Sequence, residues 1–363
     1  MKYDYLIVGS GLFGAVMAHE LTKINKKVLV IDKREHLGGN IYTYNKEGII
    51  VHKYGAHIFH TSNKKVWDYV NGFVNFNNFI NCPLANYKGT LYNLPFNMYT
   101  FYQLFKTKTP QEAREKLEKE KVKYTTINNL EEQALSLVGK EIYEKLIKDY
   151  TTKQWGTAPI NLPSFIIKRL PIRFVYDNNY FNDIYQGIAT NGYTELIEKL
   201  LEGIDTKLNY DFFTNKNNIE YDKIIFTGQI DEYYDYKFGP LSYRSLRFED
   251  EYLDVADFQG NAVINYASNQ EPFTRIIEHQ HFNFRRGPKT LITKEYSESW
   301  TLGKEAYYPI NDEKNNNIYQ KYLSLAQKDN KVIFGGRLGS FAYLDMDKTI
   351  EKALELFERI KDE

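Results

Sequence analysis

The first 36 residues constrain this chain more than any other stretch. Residues 3–36 read YDYLIVGSGLFGAVMAHELTKINKKVLVIDKREH. Tyr5 to Val8 is a short apolar strand, and Gly9-Ser10-Gly11-Leu12-Phe13-Gly14 follows it as G-x-G-x-x-G. Ala15, Ala18 and Leu21 then recur at helical spacing, and Val28 to Ile31 is a second strand ending at Asp32-Lys33. Each glycine has a separate job. Gly9 permits the tight turn, Gly11 lets backbone approach a pyrophosphate at a helix N-terminus, and Gly14 lets the helix close on the strand. Asp32 is placed to accept from ribose hydroxyls. Strand, glycines, helix, strand and acid in that order predict a βαβ dinucleotide site.

Two further stretches select the dinucleotide. Asp32 is followed closely by Leu37-Gly38-Gly39-Asn40, and DKREHLGGN resembles the FAD signature of glutathione-reductase-like and amine-oxidase-like flavoproteins. At the other end, KVIFGGRLG (331–339) reads as a strand ending in glycines, before a helix with Ile350, Ala353, Leu354, Phe357 and Ile360 on one face. In that flavoprotein class the last strand returns beside the first, and a helix N-terminus there suits the anionic charge of a reduced flavin. The FAD-binding domain is therefore expected to be discontinuous, with both chain ends in it.

Charge and cysteine usage narrow the setting. Lys plus Arg and Asp plus Glu both number 47, so nothing suggests a nucleic-acid or anionic-membrane partner. The single Cys82 excludes an internal disulfide and points to a reducing compartment. No apolar run approaches ~20 residues, and Met1-Lys2-Tyr3-Asp4 leads directly into a strand; a cytoplasmic protein with no membrane span is expected. The 31 tyrosines and 23 phenylalanines are a stock of rings for stacking and phosphate contacts.

The middle of the chain is less regular. In KYGAHIFH (53–60), His57 and His60 are expected on a flavin-facing loop, touching cofactor or substrate. As a pair three apart they make half of a metal site, but no matching cluster accompanies them, so no metal is expected. Residues 97–149 read as helical, and the dense charge of 110–123 as a solvated helix face. YTTKQWG (150–156) follows as a junction rich in aromatic and hydrogen-bonding groups. Residues 163–192 hold prolines, glycines and paired asparagines and cannot be one regular element. From about 205 to 300, segments such as DKIIFTG and AVINYAS read as antiparallel strands of a substrate domain.

Taken together, YGAHIFHT, GKEIYEKLIKDYTTKQWG, KRLPIRFVYDNNYF, PFTRIIEH, YYPI and GRLGSFAYLDMD resemble, in order and over nearly the whole chain, the bacterial UDP-galactopyranose mutase family. The resemblance implies reversible interconversion of UDP-galactopyranose and UDP-galactofuranose by an isomerase whose FAD must be reduced. Flavin N5 would displace UDP from the anomeric carbon, and a flavin–sugar iminium would permit ring opening and reclosure. A nucleophile on the cofactor accounts for the lack of a Ser-His-Asp arrangement or a thiol nucleophile in the sequence. By matching motif, Tyr150 resembles the tyrosine that stacks on uracil, with Thr151 beside it and Trp155 near the sugar. Arg169 resembles a loop arginine that closes on the diphosphate, with Arg173 as competitor, and Arg275 a fixed second arginine. Tyr180, Tyr308 and Tyr343 resemble phosphate-binding tyrosines, Tyr307 being the alternative if the register slips, and Asn265 a flavin-side asparagine. Arg169, Arg275, His57 and His60 are the expected catalytic set. The expected cofactor residues are Gly9, Gly11, Phe13, Gly14, Asp32, Lys33, Gly39, Asn40, His57, Arg337, Tyr343, Asp345 and Met346.

The resulting expectation is an α/β protein: a discontinuous Rossmann-like FAD-binding domain, a helical insertion and an antiparallel β-sheet substrate domain. The boundaries read as 1–75, about 190–235 and 305–363 for the first; about 76–150 for the second, with a mobile loop at about 156–176; and about 176–190 with 236–304 for the third. The resemblance also implies a homodimer, an external reductant (NAD(P)H or a flavin reductase) and a product used in galactofuranose-containing surface polysaccharide. The alternatives are an amine-oxidase-like flavin oxidoreductase, a mutase acting on UDP-N-acetylgalactosamine, and a non-enzymatic flavin- or nucleotide-binding protein.

Overall fold

The computed structural model describes residues 2–167 and 170–362. They form two compact units, 1–78 with 183–245 and 300–363, and 79–182 with 246–299.

The first unit is built on a five-stranded parallel sheet, ordered Val332–Phe334, Glu220–Phe226, Lys2–Val8, Val28–Ile31, Asp205–Lys207. Ile224, Ile225 and Phe226 are buried, as is all of Val28–Ile31. Such unbroken apolar runs are what a strand covered on both faces requires. That corrects the reading of DKIIFTG: its alternation is absent because it is a central parallel strand here, with no place in an antiparallel sheet. The same strand separates Val332–Phe334 from Lys2–Val8, so the last strand pairs beside Glu220–Phe226 and not beside the first. The Leu12–Lys23 helix covers the sheet through Ala15, Ala18 and Leu21, joined in one core by Ile350, Ala353 and Phe357 of the Met346–Ile360 helix.

The second unit combines helices with a mixed sheet. Val263–Tyr266 pairs antiparallel with Arg275–Glu278, which pairs antiparallel with Thr290–Ser299. On its other side Val263–Tyr266 runs parallel to Leu84–Tyr87, whose hairpin partner is Thr90–Asn93. The sheet is thus not purely antiparallel, and the segment expected to be wholly helical opens with two of its strands. The overlooked signal is the two-residue turn Lys88-Gly89, both at positive φ, which matches the twist of a tight hairpin. The helices Met98–Phe105, Pro110–Glu120 and Leu130–Ile142 each start at a side-chain cap, Asn97, Thr109 and Asn129. Gly139 breaks the last of them at φ +74; a Cβ there would lie 2.6 Å from the Glu120 carbonyl carbon. A π-turn, Tyr143–Ile147, then leads into the Lys148–Trp155 helix. YTTKQWG is therefore a helical turn closed by Gly156 in the left-handed region, where a junction was expected. Among the described residues, no helix is long and apolar enough to cross a membrane.

Also in this unit, His281 Nε2 lies 3.2 Å from Asp257 Oδ1 and 3.5 Å from Glu278 Oε2. Glu278 is fully buried and accepts from the Phe258 and Gln259 amides and from Thr290. Its carboxylate oxygens are committed, so the trio is an ion-pair knot. Burial opposes the charge on Glu278, yet His281 and those donors hold its carboxyl well below the usual range. The same bond to Glu278 raises His281. A raised histidine contributes stability fully below its unfolded value of ~6.5 and loses it as pH rises through the folded value. Melting temperature is expected to fall on the order of 1 °C more steeply above pH 6.5 in wild type than in His281→Gln. Parallel pH slopes in the two proteins would exclude the pairing.

Candidate functional site

The first unit contains a cavity of about 270 Å³ over the glycine turn, lined by Gly9, Gly11, Phe13, Gly14, Asp32, Lys33, Gly39, Asn40 and His57. Arg337 and Met346 complete the expected residues that line it. Gly14 has no room for a side chain, since its Cβ would stand 2.0 Å from Gly9 O. A Cβ on Gly39 would come within 3.0 Å of Gly11 Cα, so two glycine segments face each other as bare backbone. Gly11 caps the first helix without a side-chain bond, leaving the amides of that N-terminus for a ligand. This cradle fits a pyrophosphate.

Asp32 has a further duty. Its Oδ2 accepts from Ser10 N at 2.8 Å and Ser10 Oγ at 2.6 Å, and Oδ1 from Arg34 N at 2.9 Å. It ties the glycine turn to the end of the second strand and retains lone pairs for a ribose. Sequence reasoning missed part of the lining: Arg34, Tyr210, Thr227, Glu305 and Thr349. The only local signal was Arg34, adjacent to Asp32-Lys33; the others arrive from distant segments, Tyr210 and Thr227 just past strand ends, Glu305 from a loop and Thr349 from the last helix. Glu305, an exposed side chain, meets Lys33 at 2.7 Å and Arg34 at 3.3 Å, and against the desolvation of its surroundings these cations hold its carboxyl below the usual range.

Arg337 lies 5.1 Å from the ring of Tyr308 and 4.9 Å from that of Tyr343, the two rings being stacked 5.6 Å apart. Tyr307 is buried, which leaves Tyr308 as the partly open ring of the pair. Asp345 is exposed at the start of the last helix and does not line the cavity. His60 does not line it either: its Nδ1 meets Asp183 at 2.7 Å, while His57 Nδ1 meets Gly55 O at 2.9 Å.

The second unit has its own cavity, about 220 Å³, with aliphatic walls that include Leu146, Ile147, Ile167 and Pro171. Into it come Tyr150, Thr151, Tyr180 and Asn265. The π-turn ahead of Tyr150 sets the register that brings 146, 147, 150 and 151 to one lining face; such turns recur at functional sites. Asn265, Arg275 and Glu295 are directly opposed across three adjacent strands. Arg275 Nη2 donates to Tyr150 OH at 3.0 Å, and its Nε lies 3.1 Å from the buried Glu295 carboxylate. Burial raises the Tyr150 phenol, with Arg275 opposing, so it stays protonated near neutrality. Asn265 Oδ1 is buried with no hydrogen-bond partner among the described residues. A buried amide oxygen left over at the wall of a cavity marks a place for a ligand donor.

Trp155 lies outside this lining and packs on the helical core. Arg169 lies outside the described residues. Its competitor Arg173 donates to Asp177 at 3.0 Å, to Phe181 O at 3.2 Å, and to Asn179 O and Asn182. Those bonds staple the 173–182 loop to itself.

Residues 145–343 match the family described as UDP-galactopyranose mutase, and residues 7–73 the one described as NAD(P)-binding Rossmann-like domain. A Klebsiella pneumoniae protein named probable UDP-galactopyranose mutase is 42% identical over 359 residues, covering 97% of this chain and 93% of that one. The chain belongs to the UDP-galactopyranose mutase family. An Escherichia coli relative named dTDP-fucopyranose mutase is 40% identical over 364 residues, covering 96% of each chain. The structure described as reduced UDP-galactopyranose mutase aligns with TM-score 0.77 over 99% of this chain and 96% of its own, at 15% identity, a likeness of fold. Its family thus contains mutases named for two different nucleotide sugars, and both of the cavities described above lie in an isomerase.

Proposed function

We propose that the chain interconverts UDP-galactopyranose and UDP-galactofuranose, with FAD held in its reduced form in the first unit's cavity. The observation that carries the reading is the second cavity, where an orphaned amide oxygen and a protected phenol, itself held by Arg275 from outside the lining, meet mainly aliphatic walls. A pyrimidine base fits that set: its face against Tyr150, its imide N–H on Asn265 Oδ1. This reassigns Asn265 from the flavin side to the base. The residues for the cofactor are Gly9, Gly11, Gly14, Asp32, Gly39, Asn40 and Arg337. When bound and reduced, FAD supplies the nucleophile that the anomeric carbon needs. The protein's own part is to hold the diphosphate as it leaves and keep water out. Arg275 and Tyr180 serve that in the second unit, and Arg169 joins them by its motif. Arg forks match phosphate oxygens bidentately, and phenols donate without adding a charge to desolvate. Tyr308 and Tyr343, beside Arg337 in the first unit, carry the same phosphate assignment. His57 lines the cofactor cavity and joins the cofactor residues, while Trp155 and His60 act here as supports for these elements.

Arg169→Ala is expected to lower kcat/KM at least ~10-fold with little change in melting temperature. Arg173→Ala should do the reverse, loosening its loop more than it slows turnover. A fully active Arg169→Ala would remove that residue from the mechanism. The rest of the proposal is a cytoplasmic homodimer fed by an external reductant, NAD(P)H or a flavin reductase, making galactofuranose for surface polysaccharide.

The relative named dTDP-fucopyranose mutase, at 40% identity against 42% for the Klebsiella pneumoniae protein, supports a second reading. A thymine 5-methyl suits the aliphatic wall as uracil does. Turnover of UDP-galactofuranose beside dTDP-fucofuranose separates the two; a preference for the latter of more than ~10-fold in kcat/KM would move the assignment.

A further inference from the structure

Lys153 lines neither cavity, yet its ammonium is held by four backbone oxygens. Nζ donates to the carbonyls of Tyr266 at 2.7 Å, Ser268 at 2.7 Å, Glu271 at 3.0 Å and Phe273 at 2.9 Å. All four belong to the end of strand Val263–Tyr266 and the connection that leads to strand Arg275–Glu278. Asp149, one turn earlier on the same helix, accepts from Asn269 N in that connection at 3.2 Å. Inside the loop, Ser268 Oγ donates to Glu271 at 2.8 Å.

The chemistry demands an ammonium. Four acceptors use all three of its N–H groups with one shared, whereas a neutral amine has two to offer. Burial draws the pKa down to about 8 while Glu271 and Asp149 oppose the fall, so the group is charged at neutral pH. A buried cation is costly, and the carbonyl cage offsets that cost. Asn265 and Arg275, cross-strand partners, lie at the ends of the two strands that the caged connection joins. Tyr150, which Arg275 meets, lies one turn before Lys153 on the helix.

We propose that Lys153 is a positioning residue, its caged ammonium fixing the 267–274 connection so that Asn265 and Arg275 present to the nucleotide at the height of Tyr150. The proposal rests on the second cavity being the nucleotide-sugar site. It gives Lys153 a role in YTTKQWG beside Tyr150 and Thr151, which serve the cavity: Lys153 grips one strand connection, and the neighbouring Gln154 backbone carbonyl accepts from Ser297 on strand Thr290–Ser299.

The test uses the full-length flavoprotein, with UDP as probe. Lys153→Met is expected to keep flavin absorption at wild-type stoichiometry and raise the Kd for UDP at least ~10-fold. KM for the nucleotide sugar should rise more than kcat falls. Amide hydrogen exchange should quicken over 266–274 and stay unchanged over Lys2–Val8. Lys153→Arg, which keeps charge and donors, should recover part of the loss. Wild-type UDP affinity in Lys153→Met, measured well below its melting temperature, would overturn the proposal even if the variant is less stable. If Lys153→Met does not accumulate as folded protein, Ser268→Ala and Glu271→Gln loosen the same connection from within. Unchanged UDP affinity in both would overturn it equally. Wild type that binds UDP alongside an unaffected variant sinks only this inference; wild type that binds no UDP sinks the nucleotide reading and this inference with it.

Discussion

Arg275→Ala is expected to lower kcat/KM by at least ~10-fold, about 1.4 kcal/mol or more of transition-state stabilisation. It is also expected to destabilise the second unit by several kcal/mol. The two effects have separate causes. The guanidinium's loss removes a fork for the diphosphate. It also strands Glu295, a carboxylate only 3% exposed, beside a phenol that has lost its donor. Removing one partner of a buried pair costs about 3–5 kcal/mol, because the other charge is left uncompensated. Arg275→Ala with Glu295→Gln separates the terms: the double variant should regain most of the stability and none of the activity. Recovery of activity along with stability would mean that Arg275 acts only as structure.

Gly14→Ala is expected to give protein that purifies without flavin, or fails to fold. The added carbon would stand 2.0 Å from Gly9 O and 3.1 Å from Ile7 Cγ2. Both belong to the turn and strand that carry the cradle, so relief requires the helix to back away from the sheet. Gly89→Ala is the control, since a Cβ there meets nothing within 4 Å and its strain is confined to the φ +83 turn. Flavin content read from absorbance distinguishes them. A Gly14→Ala protein that retains flavin at wild-type stoichiometry would show that the turn's close packing is not needed for the cofactor.

What could be read without the structure was what depends on local spacing. Gly9, Gly11, Gly14 and Asp32 lie within one short unit whose geometry is set by steric limits on a tight turn, so order alone exposes them. The Ala15, Ala18 and Leu21 stripe was legible for the same reason. Pairing between distant strands was not. Nothing near Lys223 says that Ile224 pairs with Leu6, because buried parallel and antiparallel strands are both simply apolar. Glu305 and Thr349 reach the cofactor cavity from segments with no motif of their own. Lys153 was visible as one polar group in YTTKQWG, but its partners are backbone carbonyls, which carry no side-chain signature. His60 and Asp345 stand outside the cavity lining although they lie in matching motifs: His60 is held by Asp183, 123 residues away, and Asp345 is exposed at the start of the last helix, neither of which its own motif spells out.

The central claim is an isomerisation with no net redox change that nonetheless needs reduced flavin. The direct test is UDP-galactofuranose incubated with purified protein, with and without dithionite, the products being separated by chromatography. UDP-galactopyranose forming only in the reduced sample is the result expected here. Equal conversion without reductant, or a product at a different oxidation level with the flavin reoxidised, would contradict it.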